Sequence, residues 1–192
     1  IVQNIASSGS NSSPSGFFAF SGATVFKASS QLYKITSASA TSASLVKNIN
    51  PDRFTIFGDK LIFDGLDGTN GSEIWISDST LTSGGTNLLK DINPGTANSN
   101  PNYFTVLGSK LLFSACESAT DCELWTTDGT AIGTVRVKDI NPGTGASSSP
   151  SSLVAIGNTV YFSANDGING AELWRSDGTT AGTYMVEDIN PG

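Results

Sequence analysis

The sequence predicts an all-β fold, a β-propeller of four-stranded antiparallel blades made from four repeats. Three observations carry this. The phrase "VKDINPG" at 137–143 returns as "VEDINPG" at 186–192 and "LKDINPG" at 89–95, with shorter forms "VKNINP" at 46–51 and "VQNI" at 2–5. Its isoleucines are Ile5, Ile49, Ile92, Ile140 and Ile189, spaced 44, 43, 48 and 49 residues apart. A second marker runs in phase: "ELWRSDGTTAGT" at 172–183, "ELWTTDGTAIGT" at 123–134, and looser copies "EIWISDSTLTSGGT" at 73–86 and "QLYKITSASATSAS" at 31–44. Finally, short β-branched runs alternate with Gly, Asn and Asp turn signals, and no apolar stripe has helical spacing.

The fourth copy shows the order of elements. "SLVAIG" (152–157) is a strand, and Gly157-Asn158 is a tight turn. "TVYFSA" (159–164) and "AELWRS" (171–176) follow, separated by the turn-rich "NDGING", and "TYMVEDI" (183–189) closes the copy after "DGTTAG". The Gly, Pro and Ser of "NPGTGASSSP" (141–150) make a loop into this copy. Blades are expected at about 6–49, 50–92, 93–140 and 141–189 of one repeat domain, 1–192. A lone four-stranded sheet exposes two faces, and radial stacking buries both. Phe63, Phe113 and Phe162 share one repeat position, and Trp75, Trp125 and Trp174 another, which makes them the expected blade-to-blade core. In the first copy Tyr33 stands for Trp and Lys27 is read at the Phe position, as in an atypical terminal repeat. An aromatic platform for sugars is the alternative use of these rings.

Composition narrows function. Ten basic against seventeen acidic residues give a net charge of −7, which argues against nucleic acid. Histidine is absent, removing the commonest general base and metal ligand. No apolar run is long enough for a membrane helix. A chain opening on Ile1 rather than Met, with no visible signal peptide, is expected to be a processed or partial product.

"ELWRSDGTTAGTYMVEDINPG" and "ELWTTDGTAIGTVRVKDINPG" resemble the ELWxxDGT repeats of large secreted bacterial proteins. The resemblance is specific in copies three and four, partial in two and faint in one. It implies an extracellular, propeller-like array at the cell exterior, and it carries over no catalytic residue.

Few residues point to chemistry. Asp78, Asp128 and Asp177 head the "DGT" turns, where a carboxylate caps backbone N–H groups. Calcium is the alternative reading, at Asp67, Asn70 and Glu73 or at Asn165, Asp166 and Asn169, although no complete calcium-loop pattern is present; no cofactor is otherwise expected. Glu73, Glu123 and Glu172 recur and are expected to be solvated or cross-strand residues, because a catalytic pair should be asymmetric. Cys116 and Cys122 replace the glycine turn of the other copies and are expected to form a disulfide, as in an oxidising compartment. Asn11 and Asn70 head N-glycosylation sequons.

These features rank three functions. An extracellular structural or adhesive module, polymerising as a filament or surface layer, comes first. A carbohydrate-binding propeller comes second, with Tyr103 and Tyr161 as spare tyrosines. A secreted hydrolase comes last. The expected partners are further copies or repeats of the same protein, or glycans. Five closing strands, at 2–5, 46–49, 89–92, 137–140 and 186–189, accompany only four complete copies. The chain is therefore either a ring of four with a surplus strand or a window of a longer array, in which "IVQNI" or "YMVEDI" pairs outside it.

Overall fold

The computed structural model describes residues 11–189 and 191, sixteen strands and no helix among them. Each copy supplies one antiparallel sheet in chain order. The first holds β1 (Ser15–Phe20), β2 (Ala23–Ala28), β3 (Gln31–Ile35) and β4 (Ser44–Lys47). The second holds β5 (Asn50–Phe57), β6 (Lys60–Leu66), β7 (Ser72–Ser77) and β8 (Thr86–Lys90). The third holds β9 (Asn102–Leu107), β10 (Lys110–Ser118), β11 (Asp121–Thr127) and β12 (Val135–Lys138). The fourth holds β13 (Ser151–Ile156), β14 (Thr159–Asn165), β15 (Ala171–Ser176) and β16 (Tyr184–Glu187). The first strands of successive sheets lie against one another, so β1, β5, β9 and β13 form the inner edge of a propeller arc.

Local sequence explains the meander. The first hairpin of blades 2 to 4 turns on Gly58, Gly108 and Gly157, all at φ near +60°, where a Cβ would be strained. Each inner strand then carries a bulge at one repeat position. Gly16, Arg53, Tyr103 and Ser152 occupy it with φ between 53° and 61°. The bulge adds twist and turns the following residue, Phe54 or Phe104, onto the neighbouring aromatic ring.

Alternation gives each sheet two apolar faces. The leading face points to the preceding blade and the trailing face to the following one. Three interior clusters each join the trailing face of one blade to the leading face of the next. Between blades 2 and 3, Ile62, Ile74, Leu89 and Ile92 meet Leu111, Phe113, Ala115 and Trp125. Phe63, Phe113 and Phe162 lie directly opposite Trp75, Trp125 and Trp174 on paired strands. In the first blade the pair is Phe26 and Tyr33, so Lys27 is not the substitute for the phenylalanine. Counted from the hairpin turn, Phe26 follows Ala23 by the same interval as Phe63 follows Lys60; the turn sets the register.

No such cluster joins blade 4 to blade 1 among the described residues, so these four blades form an open arc rather than a closed ring. β16 pairs with β15 inside its own sheet, and the surplus strand at 2–5 lies outside the described residues.

Candidate functional site

The recurring carboxylates form two sets, and both serve the backbone. In the third turn of blade 3, Asp128 Oδ1 accepts from Thr130 N at 2.8 Å and Thr130 Oγ1 at 2.7 Å. Asp177 and Thr179 repeat this at 2.9 and 2.6 Å, and Asp78 and Thr80 do so in blade 2. These hydrogen bonds hold the carboxyls of Asp78, Asp128 and Asp177 below the usual aspartate range. The turn also explains the last glycine of the motif. A Cβ on Gly85, Gly133 or Gly182 would sit 2.1–2.3 Å from the carboxylate of its own turn. Asp67 and Asp166 make a second pair of caps. Asp67 Oδ1 takes the N–H groups of Thr69 and Asn70, both at 2.8 Å, while its Oδ2 takes Asn70 Nδ2 at 2.7 Å; Asp166 copies this with Ile168 and Asn169. Both oxygens of the proposed calcium carboxylates are thus bonded to nitrogen donors.

The glutamates differ from expectation. Glu73 and Glu123 are cross-strand residues, opposite Gly65 and Ala115, but they are not solvated; their carboxylates are buried clasps on the loops that lead from one blade to the next. Glu73 accepts from the N–H groups of Ile92 (2.8 Å), Asn93 (3.2 Å) and Ser99 (3.1 Å) and from Ser99 Oγ (2.6 Å). Glu123 accepts from Ile140, Asn141, Ser148 N and Ser148 Oγ in the same pattern, and Glu172 accepts from Ile189 N. A loop of unpaired N–H groups needs an acceptor inside the protein, and a strand glutamate supplies it. Where "NPGTANSN" shrinks to "NPD" between blades 1 and 2, the glutamate position holds Gln31 instead, bonded to Asn48 and Tyr33. Burial outweighs these donors and pushes the Glu73 carboxyl up to about 7, with Glu123 raised for the same reason. That shortened junction carries a group that no other junction has among the described residues: Arg53 pairs with the buried Asp64, which also accepts from Ser72 Oγ.

The remaining expected residues fall into place. Cys116 and Cys122 are opposite each other on β10 and β11 and are joined by a disulfide. Trp75, Trp125 and Trp174 are buried at the junctions and offer no platform to a ligand; Lys47 and Lys138 lie over two of them at 5.9 and 5.8 Å. Asn11 is exposed, whereas Asn70 is half-buried with its amide nitrogen engaged by Asp67. Among the described residues, no three acidic or cysteine side chains gather as metal ligands.

No family model matches the chain, and no curated sequence does. Solved structures share the fold. A puromycin hydrolase mutant matches at a TM-score of 0.56 and 12% identity over 90% of this chain and 25% of its own. Oligopeptidase B from Leishmania major matches at 0.55 and 11% over 92% of this chain and 27% of its own. A TolB-like protein from Agrobacterium tumefaciens matches at 0.52 and 13% over 91% of this chain and 61% of its own. The matched domains are β-propellers, so the chain has a propeller-like fold, and it spans about a quarter of the length of the two peptidases.

Three outcomes follow from this geometry. Gly133→Ala or Gly182→Ala lowers stability by more than about 1 kcal/mol, because the turn cannot admit a Cβ, as a thermal melt will record. Cys116→Ser with Cys122→Ser costs about 2 kcal/mol, the modest loop-closure entropy of so short a ring, and a non-reduced digest of the parent finds both thiols consumed. Stability also peaks between the two carboxylate sets. The depressed aspartates contribute stability that is present above pH 3.8 and lost as pH falls through their lower folded values; the raised Glu73 contributes stability that is present below pH 4.5 and lost as pH rises towards 7. Calorimetry should give a melting temperature that falls on both sides of this window, with the upper limb reduced in Glu73→Gln.

Proposed function

We propose that the chain is an extracellular, non-catalytic propeller module with a structural or adhesive role, able to associate with further copies of its own repeat. The supporting observation is that the carboxylates of the repeats accept hydrogen bonds from their own turns and loops, which leaves them no free acid or base function. The disulfide supports an oxidising compartment. The solved peptidases share only the fold at this identity, and their hydrolytic activity is not transferred. A carbohydrate-binding role is the second reading; it rests on Tyr103, whose ring is exposed on the inner-strand bulge.

Antibody raised to residues 1–192 is expected to label intact cells of the source. Label confined to permeabilised cells would overturn the extracellular role. A glycan array decides the second reading: specific binding that disappears in Tyr103→Ala would establish it over the structural one.

A further inference from the structure

The interior junction between blades 2 and 3 holds a pocket of about 470 Å³, a size within the roughly 300–1,000 Å³ of small-molecule sites. Three turns meet there: the first hairpin of blade 2 at Gly58 and Asp59, the first hairpin of blade 3 at Gly108 and Ser109, and the third turn of blade 3 at Asp128 to Thr130. Both walls belong to blades whose four strands are all present. The half-buried ring of Phe57 supplies the apolar part of the lining. The backbone of Gly129 packs on the edge of that ring, where a Cβ would lie 3.7 Å from Phe57 Cε1.

The equivalent junction between blades 3 and 4 is bridged by a lysine. There Lys110 Nζ donates to Gly178 O at 2.9 Å, its side chain lies against Gly178, and the space left is about 290 Å³. Lys60 holds the position of Lys110, since each pairs with the residue before its hairpin turn, Phe57 and Leu107. Among the described residues no bond joins Lys60 to Gly129 O, the counterpart of Gly178 O; its ammonium lies 3.3 Å from Asp59 Oδ2 instead. The sequence supplies the cause. The turn reads Gly-Asp-Lys in blade 2 and Gly-Ser-Lys in blade 3, so Lys60 has a neighbouring carboxylate to hold it and Lys110 has none. One residue, Asp59, keeps this junction open.

We propose that this pocket binds a neutral pyranose sugar. The Lys60 ammonium has N–H groups beyond the one given to Asp59. Ser109 Oγ takes no partner among the described residues, and Gly129 O is released from the lysine bridge. Asp128 spends Oδ1 on Thr130, and no other side chain bonds its Oδ2. Donors and acceptors thus stand side by side around one aromatic ring. A sugar hydroxyl both donates and accepts, so adjacent hydroxyls satisfy such a set, while the C–H face of the pyranose covers Phe57. An anion would meet Asp59 and Asp128, and a cation would meet Lys60; the mixed charge favours a neutral polyhydroxylated ligand. The inference rests on the carbohydrate-binding reading and deepens it, because it places the sugar at the opposite end of β9 from Tyr103.

The test is calorimetric titration of the 192-residue chain with the methyl glycosides of glucose, galactose, mannose and N-acetylglucosamine. At least one is expected to bind saturably, one per chain. Lys60→Met removes the ammonium and should weaken that binding about tenfold, the loss of one charged hydrogen bond. Asp59→Ser gives the hairpin the residue of blade 3, frees Lys60 to bridge to Gly129 O, and should abolish binding. Both positions lie on the surface, so both variants should keep the parent's circular dichroism and melting profile. Lys110→Met serves as the control and should leave affinity unchanged. Binding that survives in folded Lys60→Met and Asp59→Ser overturns the pocket, and so does a loss confined to Lys110→Met. If binding survives both substitutions but disappears in Tyr103→Ala, the pocket falls and the carbohydrate-binding reading stands. If no glycoside binds the parent, both fall and the structural role remains.

Discussion

The blade junction is the contact on which everything else depends. Each sheet has four short strands and two apolar faces, and a sheet of that size has no interior of its own. Phe63, Phe113 and Phe162, set against Trp75, Trp125 and Trp174, supply that interior only when the preceding blade closes over them. A fully buried phenylalanine side chain contributes roughly 2–3 kcal/mol. The disulfide contributes about as much as one such ring. Exposed ion pairs such as Lys60 with Asp59 contribute at most about 1 kcal/mol. Packing between blades therefore decides the fold, and the disulfide and surface charges adjust it.

The polar groups are subordinate to this packing. Stacking sheets radially requires a loop from the outer strand of one blade to the inner strand of the next, and that loop passes over protein where its N–H groups lose water. Glu73 and Glu123 answer that need from the strand beneath. The same logic explains Gln31, because the shortened loop at that junction has fewer donors to satisfy. The buried hydroxyl pairs Ser77–Thr86, Thr127–Thr134 and Ser176–Thr183, each 2.7–2.8 Å apart, tie together the ends of the third turn. Each of these groups recurs at the blade period, and that periodicity itself identifies them as parts of the scaffold.

The asymmetries are fewer, and they mark the places where a specific role can reside. Among the described residues the Arg53–Asp64–Ser72 group occurs only at the short junction. The disulfide exists only in blade 3. Glu187 departs from the lysine of three other blades.

The sequence by itself determined the strand order, the blade count, the disulfide pairing and the aromatic core, because these are set by local periodicity and by turn residues close in the chain. Phe and Trp at fixed intervals can be read without coordinates. Three things were decided only by tertiary structure. The role of Glu73 was hidden because its donors, Ile92 and Ser99, belong to a loop 19 to 26 residues away, and no local pattern distinguishes a glutamate facing water from one facing a loop. Phe26 was misplaced by one position because register depends on where the hairpin turns. The open arc was equally invisible, since four similar repeats are compatible with closure or with a segment of a wider circle. The choice between them follows from the angle that side-chain packing imposes at each junction, a property of paired surfaces that no single repeat contains.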